Sequence, residues 1–309
     1  MNSGYVVGIG AANIDIYGKS LVPLREKTDH PAKVFTGIGG VTRNILDNLM
    51  HLDIPCVLMT AVGDDIYGKI VLSAVEEQGM DIRHALVVPG ASTGVFIQVL
   101  SENNDMELAL CDMGVMSHIT EEYLREHHEV LEKAQIIVID PSLPEETIEY
   151  LVDHFGDKIF LDPVSDILAE KMKPFVGRIC AVKPNRTELE VLSGMPVRDL
   201  AELIAAGRKV IESGTKTLYI SLGRDGCLYM DHDRQILQRF HEEKEMVNAS
   251  GAGDSFFAGI ICGLIDGLEI ESVLDLGLAA GILAVRSKEV ISPLLSRKNL
   301  QKIIKENRG

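Results

Sequence analysis

A glycine-rich turn that delivers an aspartate into an apolar segment is the part of this chain best suited to chemistry. It runs Val247-Asn248-Ala249-Ser250-Gly251-Ala252-Gly253-Asp254, and Phe256, Phe257, Ile260, Ile261, Leu264 and Ile265 follow at helical spacing. The first N–H groups of a helix have no partner inside it, and the dipole there favours negative charge. Gly251 and Gly253 would let an anion lie close against those N–H groups. A carboxylate beside such a cradle, here Asp254, can take a proton from an alcohol while the cradle holds a developing phosphoryl charge. The same residues also describe a capped core helix after a tight turn. What else the chain brings to this place decides between the two.

Tyr5–Ile9 reads as a first core strand. Gly8-Ile9-Gly10-Ala11-Ala12-Asn13 then begins like a dinucleotide fingerprint, but Asn13 stands where the third glycine belongs and Ile14–Gly18 alternates like a strand. Asn13 and Asp15 therefore sit just past a strand end, where open α/β sheets bind ligands, and two residues apart they share a face. A polar turn with a solvated aspartate is the alternative. Gly39-Gly40 precede another helix marked by Ile45, Leu46, Leu49 and Leu52, with Asn44 one turn in. Asn185 and Glu188, three apart in a first helical turn, suit phosphate oxygens and a water-coordinated Mg²⁺, or equally a capping box. Ser221-Leu222-Gly223 with Gly226 makes a small-residue loop for nucleotide phosphates or ribose, or a tight turn. Asp64-Asp65 reads as the cap of a helix reaching about Gln78, and the nine histidines lack metal-ligand spacing.

The elements that must position these residues alternate. Strands are expected at Val57–Ala61, Ile136–Asp140, Ile159–Asp162, Cys180–Lys183 and Thr217–Ser221, and helices at Glu121–Glu132, Glu145–Phe155, Arg186–Ser193 and Leu200–Ser213. This is an α/β fold, a doubly wound and mostly parallel sheet with helices on both faces. A hairpin, Gly94–Leu100 with Glu107–Cys111 around Asn103-Asn104-Asp105, interrupts the alternation and lies beside an irregular, polar 18–36. Together they predict a small β-strand lid, contributed roughly by residues 13–38 and 93–113 of a single domain spanning 1–309.

Composition narrows the partners. A formal net charge of -16 argues against phosphate-backbone binding, so no nucleic acid is expected. No apolar run reaches membrane-spanning length, and no basic, cleavable leader precedes the first strand. Five scattered cysteines without a CxxC pair read as reduced thiols, so a cytoplasmic location is expected. The apolar lid face of Val95, Ile97 and Val99 either pairs with its copy in a homodimer, the expected state, or rests on its own domain.

Taken together, Gly39-Gly40 with Asn44, Asn185-x-x-Glu188, Ser221-Leu222-Gly223 with Gly226, and Gly251-Ala252-Gly253-Asp254 resemble the ribokinase-like (PfkB) carbohydrate kinases, over almost the whole chain. Within that family, Ala12–Asp15, Gly39–Ile45, Ala61-Val62-Gly63, Asp112-Met113, Asp162–Ser165 and Lys183–Arg186 are most similar to the pseudouridine kinases. The resemblance implies ATP-dependent phosphorylation of a small-molecule nucleoside or sugar, here the 5′-hydroxyl of free pseudouridine. It makes Asp254 the base, and Gly251, Ala252 and Gly253 the anion hole. Asn13, Asp15, Gly39, Gly40 and Asn44 would grip ribose hydroxyls, while Thr93, Asp112 and Met113 are candidates for the base side of the pocket. Asn185, Ser221, Gly223 and Gly226 would take ATP, with Glu188 on Mg²⁺ through water. Many family members place a carboxylate and threonines before the glycine signature, where K⁺ binds; Asn248-Ala249-Ser250 stand there in this chain, which leaves a monovalent cation open. The rivals are a family kinase for ribose, adenosine, fructose or 2-keto-3-deoxygluconate, and a catalytically silent sugar or nucleotide sensor.

Overall fold

Short runs of β-branched and apolar residues build most of the central sheet, and several of them stop at a glycine, at Asp-Pro or at Lys-Pro. The computed structural model describes residues 4–103, 105–240, 247 and 250–308. The first half of the chain contains β1 (Val6–Ile9), β2 (Asn13–Ser20), β3 (Ala32–Gly39), α1 (Val41–His51), β4 (Cys56–Met59), β5 (Ala61–Gly63) and α2 (Ile66–Glu77). β6 (Leu86–Val88), β7 (Val95–Leu100), β8 (Met106–Asp112), α3 (Glu121–Glu126) and α4 (His128–Lys133) follow. The second half alternates: β9 (Ile136–Ile139), α5 (Glu145–Phe155), β10 (Ile159–Leu161), α6 (Asp166–Met172), β11 (Ala181–Val182), α7 (Arg186–Ser193), α8 (Leu200–Glu212) and β12 (Thr217–Ser221). β13 (Cys227–Met230), β14 (Gln235–Gln238), α9 (Ala252–Ile265), α10 (Ile270–Val285) and α11 (Arg297–Arg308) complete it.

Eight strands form the main sheet in the order β14-β13-β12-β11-β10-β9-β1-β4, parallel from β12 to β4. Alternate residues feed two cores. Val7, Ile9, Ile137 and Ile139 face one layer, while Val6, Ile136 and Val138 face the other, which is built on α1, α9 and α10. Burial on both faces is what a parallel sheet covered by helices requires. The chain steps from β1 to β4 on one side and later returns to β9 on the other, so a topological switch point lies at the C-terminal ends of β1 and β9. Asp140 ties it together: its Oδ2 accepts from the Thr42 hydroxyl (2.7 Å) and the Ala11 N–H (3.2 Å), and its Oδ1 from the Ser142 N–H (2.9 Å).

The lid is a separate four-stranded sheet, β3-β2-β7-β8. β2 pairs antiparallel with β3 and parallel with β7, and β7 pairs antiparallel with β8. The stretch expected to be irregular, 18–36, is strand up to Ser20 and again from Ala32. β3 escapes a pattern search because it is an edge strand whose first five residues are exposed on both faces. Asn104, in the expected hairpin turn, lies outside the described residues; beside it, Ser101 N–H donates to the Asp105 carbonyl at 2.8 Å. Two further expectations are corrected. The helix over Glu121–Glu132 is broken at His127 (φ -106°, ψ 14°), where Tyr123 and Leu124 bury themselves and α4 restarts in a new direction around Leu131. The run Val57–Ala61 is divided between β4 and β5, and β5 pairs with β6 in a small sheet of its own.

Candidate active site

α9 starts without a side-chain cap. Gly251 occupies the N-cap position with φ 76°, and among the described residues there is no side-chain cap hydrogen bond. A side chain at 251 would be strained by that φ, and its Cβ would lie 2.2 Å from the Val290 carbonyl. The first N–H groups of this helix, from Ala252 and Gly253, are thus left for an anion. Asp254 lies in the same turn and is 9% exposed.

The Asp254 carboxylate meets α1. Asn44 Nδ2 donates to its Oδ2 at 2.7 Å, and one turn on Asn48 Oδ1 accepts from the Ser255 hydroxyl at 2.8 Å. Asn44 Oδ1 is buried with no hydrogen-bond partner. A buried acceptor without a donor costs about 1–3 kcal/mol, so this atom is poised for a ligand hydroxyl. Burial, and next the negative charge of Asp162, push the Asp254 carboxyl up to about 7, against the pull of Asn44, Lys183 and Arg43. Arg43, 4% exposed, is held by the Ile38 and Gly39 carbonyls and by Asp47 at 3.1 Å.

Two strand ends whose polar residues the sequence places along one edge supply a pair that spacing did not foresee. Asp162 follows β10 and Lys183 follows β11, and in the parallel pair they meet, Nζ to Oδ2, at 3.2 Å. Both are buried, and Lys183 Nζ lies 3.2 Å from where a Cβ on Gly253 would be, so the ammonium sits at the mouth of α9. Burial works against that charge, but Asp162, Glu188 and Asp254 outweigh it and the Lys183 pKa rises. The other oxygen of Asp162 accepts from the Val164 N–H at 2.9 Å, in a turn where Val164 has φ 68°. A β-branched residue rarely adopts that backbone, and here it fixes the aim of the carboxylate. A search for such pairs could start from the sequence: Asp162-Pro163 and Lys183-Pro184 each end a strand.

Asn185 and Glu188 form the capping box. Asn185 Oδ1 accepts from Glu188 N (2.9 Å), Glu188 Oε2 accepts from Asn185 N (2.8 Å), and Glu188 Oε1 accepts from Asn185 Nδ2 (2.9 Å). Glu188 is 3% exposed, and burial, with Asp162 adding to it and Lys183 opposing, raises its carboxyl to about 7. Asp162, Glu188 and Asp254 all act on the Lys183 ammonium, and Arg43 also faces Asp254; among the described residues no three acidic, histidine or cysteine groups are arranged to hold a metal ion. Ser221 ends β12 and its N–H donates to the Pro184 carbonyl at 2.9 Å. Gly223 borders open space, whereas at Gly226 (φ 92°) a Cβ would meet the Gln238 carbonyl at 2.1 Å.

On the lid, Asp15 Oδ1 accepts from Asn13 Nδ2 and Oδ2 from the Tyr17 hydroxyl, both at 2.7 Å. Burial raises the Asp15 carboxyl while Tyr17 and Asn13 oppose the shift. Gly39 is opposite: a Cβ there would lie 2.0 Å from Asp15 Oδ1, so the absence of a side chain makes room for that carboxylate. Gly40 caps α1. Thr93 is spent on structure, its hydroxyl donating to Asp65 Oδ1 (2.6 Å) and accepting from Gly63 N (3.0 Å), which secures the Asp65 cap of α2. Asp112 accepts from Gly114 N at 3.0 Å. Met113 lies beside Gly94 and Asn13, since a Cβ on Gly94 would be 2.7 Å from its sulfur and 3.2 Å from Asn13 Cβ. Asn248 and Ala249, on which the monovalent-cation question turns, lie outside the described residues.

Fold comparison defines the class. The structure of Arabidopsis thaliana ribokinase complexed with ribose and ATP matches with a TM-score of 0.84 at 24% identity, over 98% of this chain and 99% of that one. Ribokinase from Thermotoga maritima matches at 0.82 and 19% identity, over 98% and 99%. The fold is the ribokinase-like α/β fold. The sequence profile of the pfkB family carbohydrate kinases matches residues 3–297, and the chain belongs to that family. Among curated relatives it is similar to pseudouridine kinase of Escherichia coli strain K12, 31% identical over 301 residues that cover 97% of this chain and 96% of that protein. The chain is thus a sugar or nucleoside kinase, a phosphotransferase that uses ATP and an alcohol acceptor. Among the described residues no helix is long and apolar enough to cross a membrane.

Proposed function

We propose that this kinase phosphorylates the 5′-hydroxyl of free pseudouridine, giving pseudouridine 5′-phosphate and ADP. The observation that carries the chemistry is the Asn44–Asp254 contact beside the uncapped start of α9. The similarity to a pseudouridine kinase along 97% of the chain supports the substrate. In this reading Asp254 receives the hydroxyl proton as the oxygen attacks the γ-phosphorus of ATP. The new P–O bond forms as the bond to the β-phosphate oxygen breaks, and ADP leaves. Negative charge on the transferring group falls on the N–H groups of the Gly251-Ala252-Gly253 turn and on Lys183. Asn13, Asp15, Gly39, Gly40 and Asn44 receive the ribose, with Asn44 Oδ1 gaining its missing donor. Ser221, Gly223 and Gly226 border the nucleotide.

Mg²⁺ would be held by Glu188 through water, since both Glu188 oxygens already accept from Asn185, and bound with ATP it would neutralise phosphate charge. Asn185, with its side chain committed to the capping box, supports Glu188 and contributes to the nucleotide site at most through that turn. We propose a homodimer through the lid, supported by an apolar face where Val34 is 65%, Leu108 54% and Leu110 58% exposed beside Ile97. A panel of pseudouridine, uridine, adenosine, ribose and fructose with ATP and Mg²⁺, read by product mass, tests the assignment. Turnover of a sugar or of adenosine with none of pseudouridine would end it.

A further inference from the structure

The pairing register sorts the inner face of the lid into rows. Nearest the body are Gly39, Asn13, Gly94 and Met113; next come Gly37, Asp15, Phe96 and Cys111; beyond them lie Phe35, Tyr17, Gln98 and Ala109. Directly paired residues of neighbouring strands point to the same side, so each row projects toward the site that Asp15 faces. The two halves of these rows differ in chemistry. The β3–β2 half is bare glycine beside Asn13 and Asp15, which suits a diol. The β7–β8 half carries an aromatic ring and two sulfurs.

We infer that the nucleobase lies on this second half, flat on Phe96 with Cys111 and Met113 at its margin, and that the Gln98 carboxamide reads its edge. This rests on the nucleoside-kinase reading above. Three observations lead here. Phe96 pairs directly with Asp15 on one side and Cys111 on the other, so a ligand held by Asp15 reaches the ring without crossing another side chain. Cys111 is the direct β8 partner of Phe96 and is exposed, so its thiol borders the ring and is open to a ligand or a reagent; Asp112, Asp140 and Asp15 are near enough to add to the rise that burial causes in its pKa. Gln98 borders a cavity of about 1030 Å³ beyond Asp15, together with Tyr17 and Arg43, and its amide nitrogen donates only to the Met106 sulfur, at 3.4 Å.

A thioether is a weak acceptor, so Gln98 gives up little on turning to a ligand. A flat base on an aromatic ring with its edge met by an amide is the usual way to read an unpaired nucleobase. The uracil of pseudouridine, joined to ribose through carbon, presents a ring N–H where uridine has a C–H. The Gln98 oxygen accepts from that N–H, and uridine leaves it unpaired.

The experiment uses the full chain with Mg²⁺ and ATP. Iodoacetamide labelling of Cys111, followed by peptide mass spectrometry, should slow several-fold with saturating pseudouridine and not with ribose. Phe96→Ala should raise the nucleoside KM about tenfold or more, with the ATP KM held, which also certifies the fold. Gln98→Leu should narrow the preference for pseudouridine over uridine in kcat/KM by about tenfold or more. Pseudouridine turnover with Cys111 unprotected and the Phe96→Ala KM unchanged overturns this placement and leaves the kinase assignment standing. Turnover of ribose or fructose, with no nucleoside phosphorylated, overturns both.

Discussion

α7 and α9 both begin at this site, with Lys183 near both first turns, and they are finished in opposite ways. α7 is closed: Asn185 and Glu188 answer each other's backbone N–H groups. α9 is open: Gly251 brings no side chain, and its first N–H groups wait for a ligand. The closed helix fixes Glu188, while the open one is the anion site we propose. A helix start binds an anion when the sequence withholds the side-chain oxygen that would otherwise cap it.

Breaking the open helix should have the largest effect. Asp254→Asn should lower kcat by about a thousandfold or more with nucleoside KM little changed, measured in steady state. The same variant should be the more thermostable at pH 8. The folded-state pKa of Asp254 is raised, so its contribution is favourable below the unfolded value and lost as pH rises through about 7. Asparagine removes that penalty, on the order of a few kcal/mol, and melting curves at pH 5 should show the gain much reduced. Equal gains at both pH values would mean Asp254 is not the strained charge.

Lys183→Met should cost about a hundredfold in kcat. It also strands Asp162, costing about 3 kcal/mol of stability, which Asp162→Asn in the double variant should restore without restoring the rate. Recovery of both together would reduce Lys183 to a structural partner. In the intact enzyme, kcat/KM should fall about fivefold from pH 7 to pH 6 as Asp254 takes up its proton; a flat profile there would remove it as the base. The smallest effect belongs to the closed helix. Asn185→Ala should cost about 1 kcal/mol in thermal or urea unfolding and change kcat less than about threefold. A large loss of kcat would give Asn185 a direct part in the chemistry.

The open helix was legible in the sequence because its parts are contiguous: glycines, an aspartate, then an apolar period of 3.6. α5 and α7 were legible to the residue for the same reason. The alternation of the second half announced the parallel sheet. Asn185-x-x-Glu188 was legible as a spacing but ambiguous in use, and the structure makes it a cap. Lys183 with Asp162 was not legible, since their contact spans two strands and depends on parallel register. The structural part of Thr93 was hidden for a related reason: its partner, Asp65, lies 28 residues away. The role of Phe96 depends on register too, being fixed only once β7 is paired with β2.

The Asp140 knot has a consequence for how such a protein can change. Ala11 is tied to Asp140 two residues before β2 departs, and Thr42 is tied to it just after β3 returns. The lid therefore hangs from a fixed root while its far loop, residues 21–31, is largely exposed. Lengthening or swapping residues out there alters what the lid can reach and touch, and leaves the distances around Asp254 alone. The part of the lid most open to revision is thus the part that shares no contact with the Asp140 root.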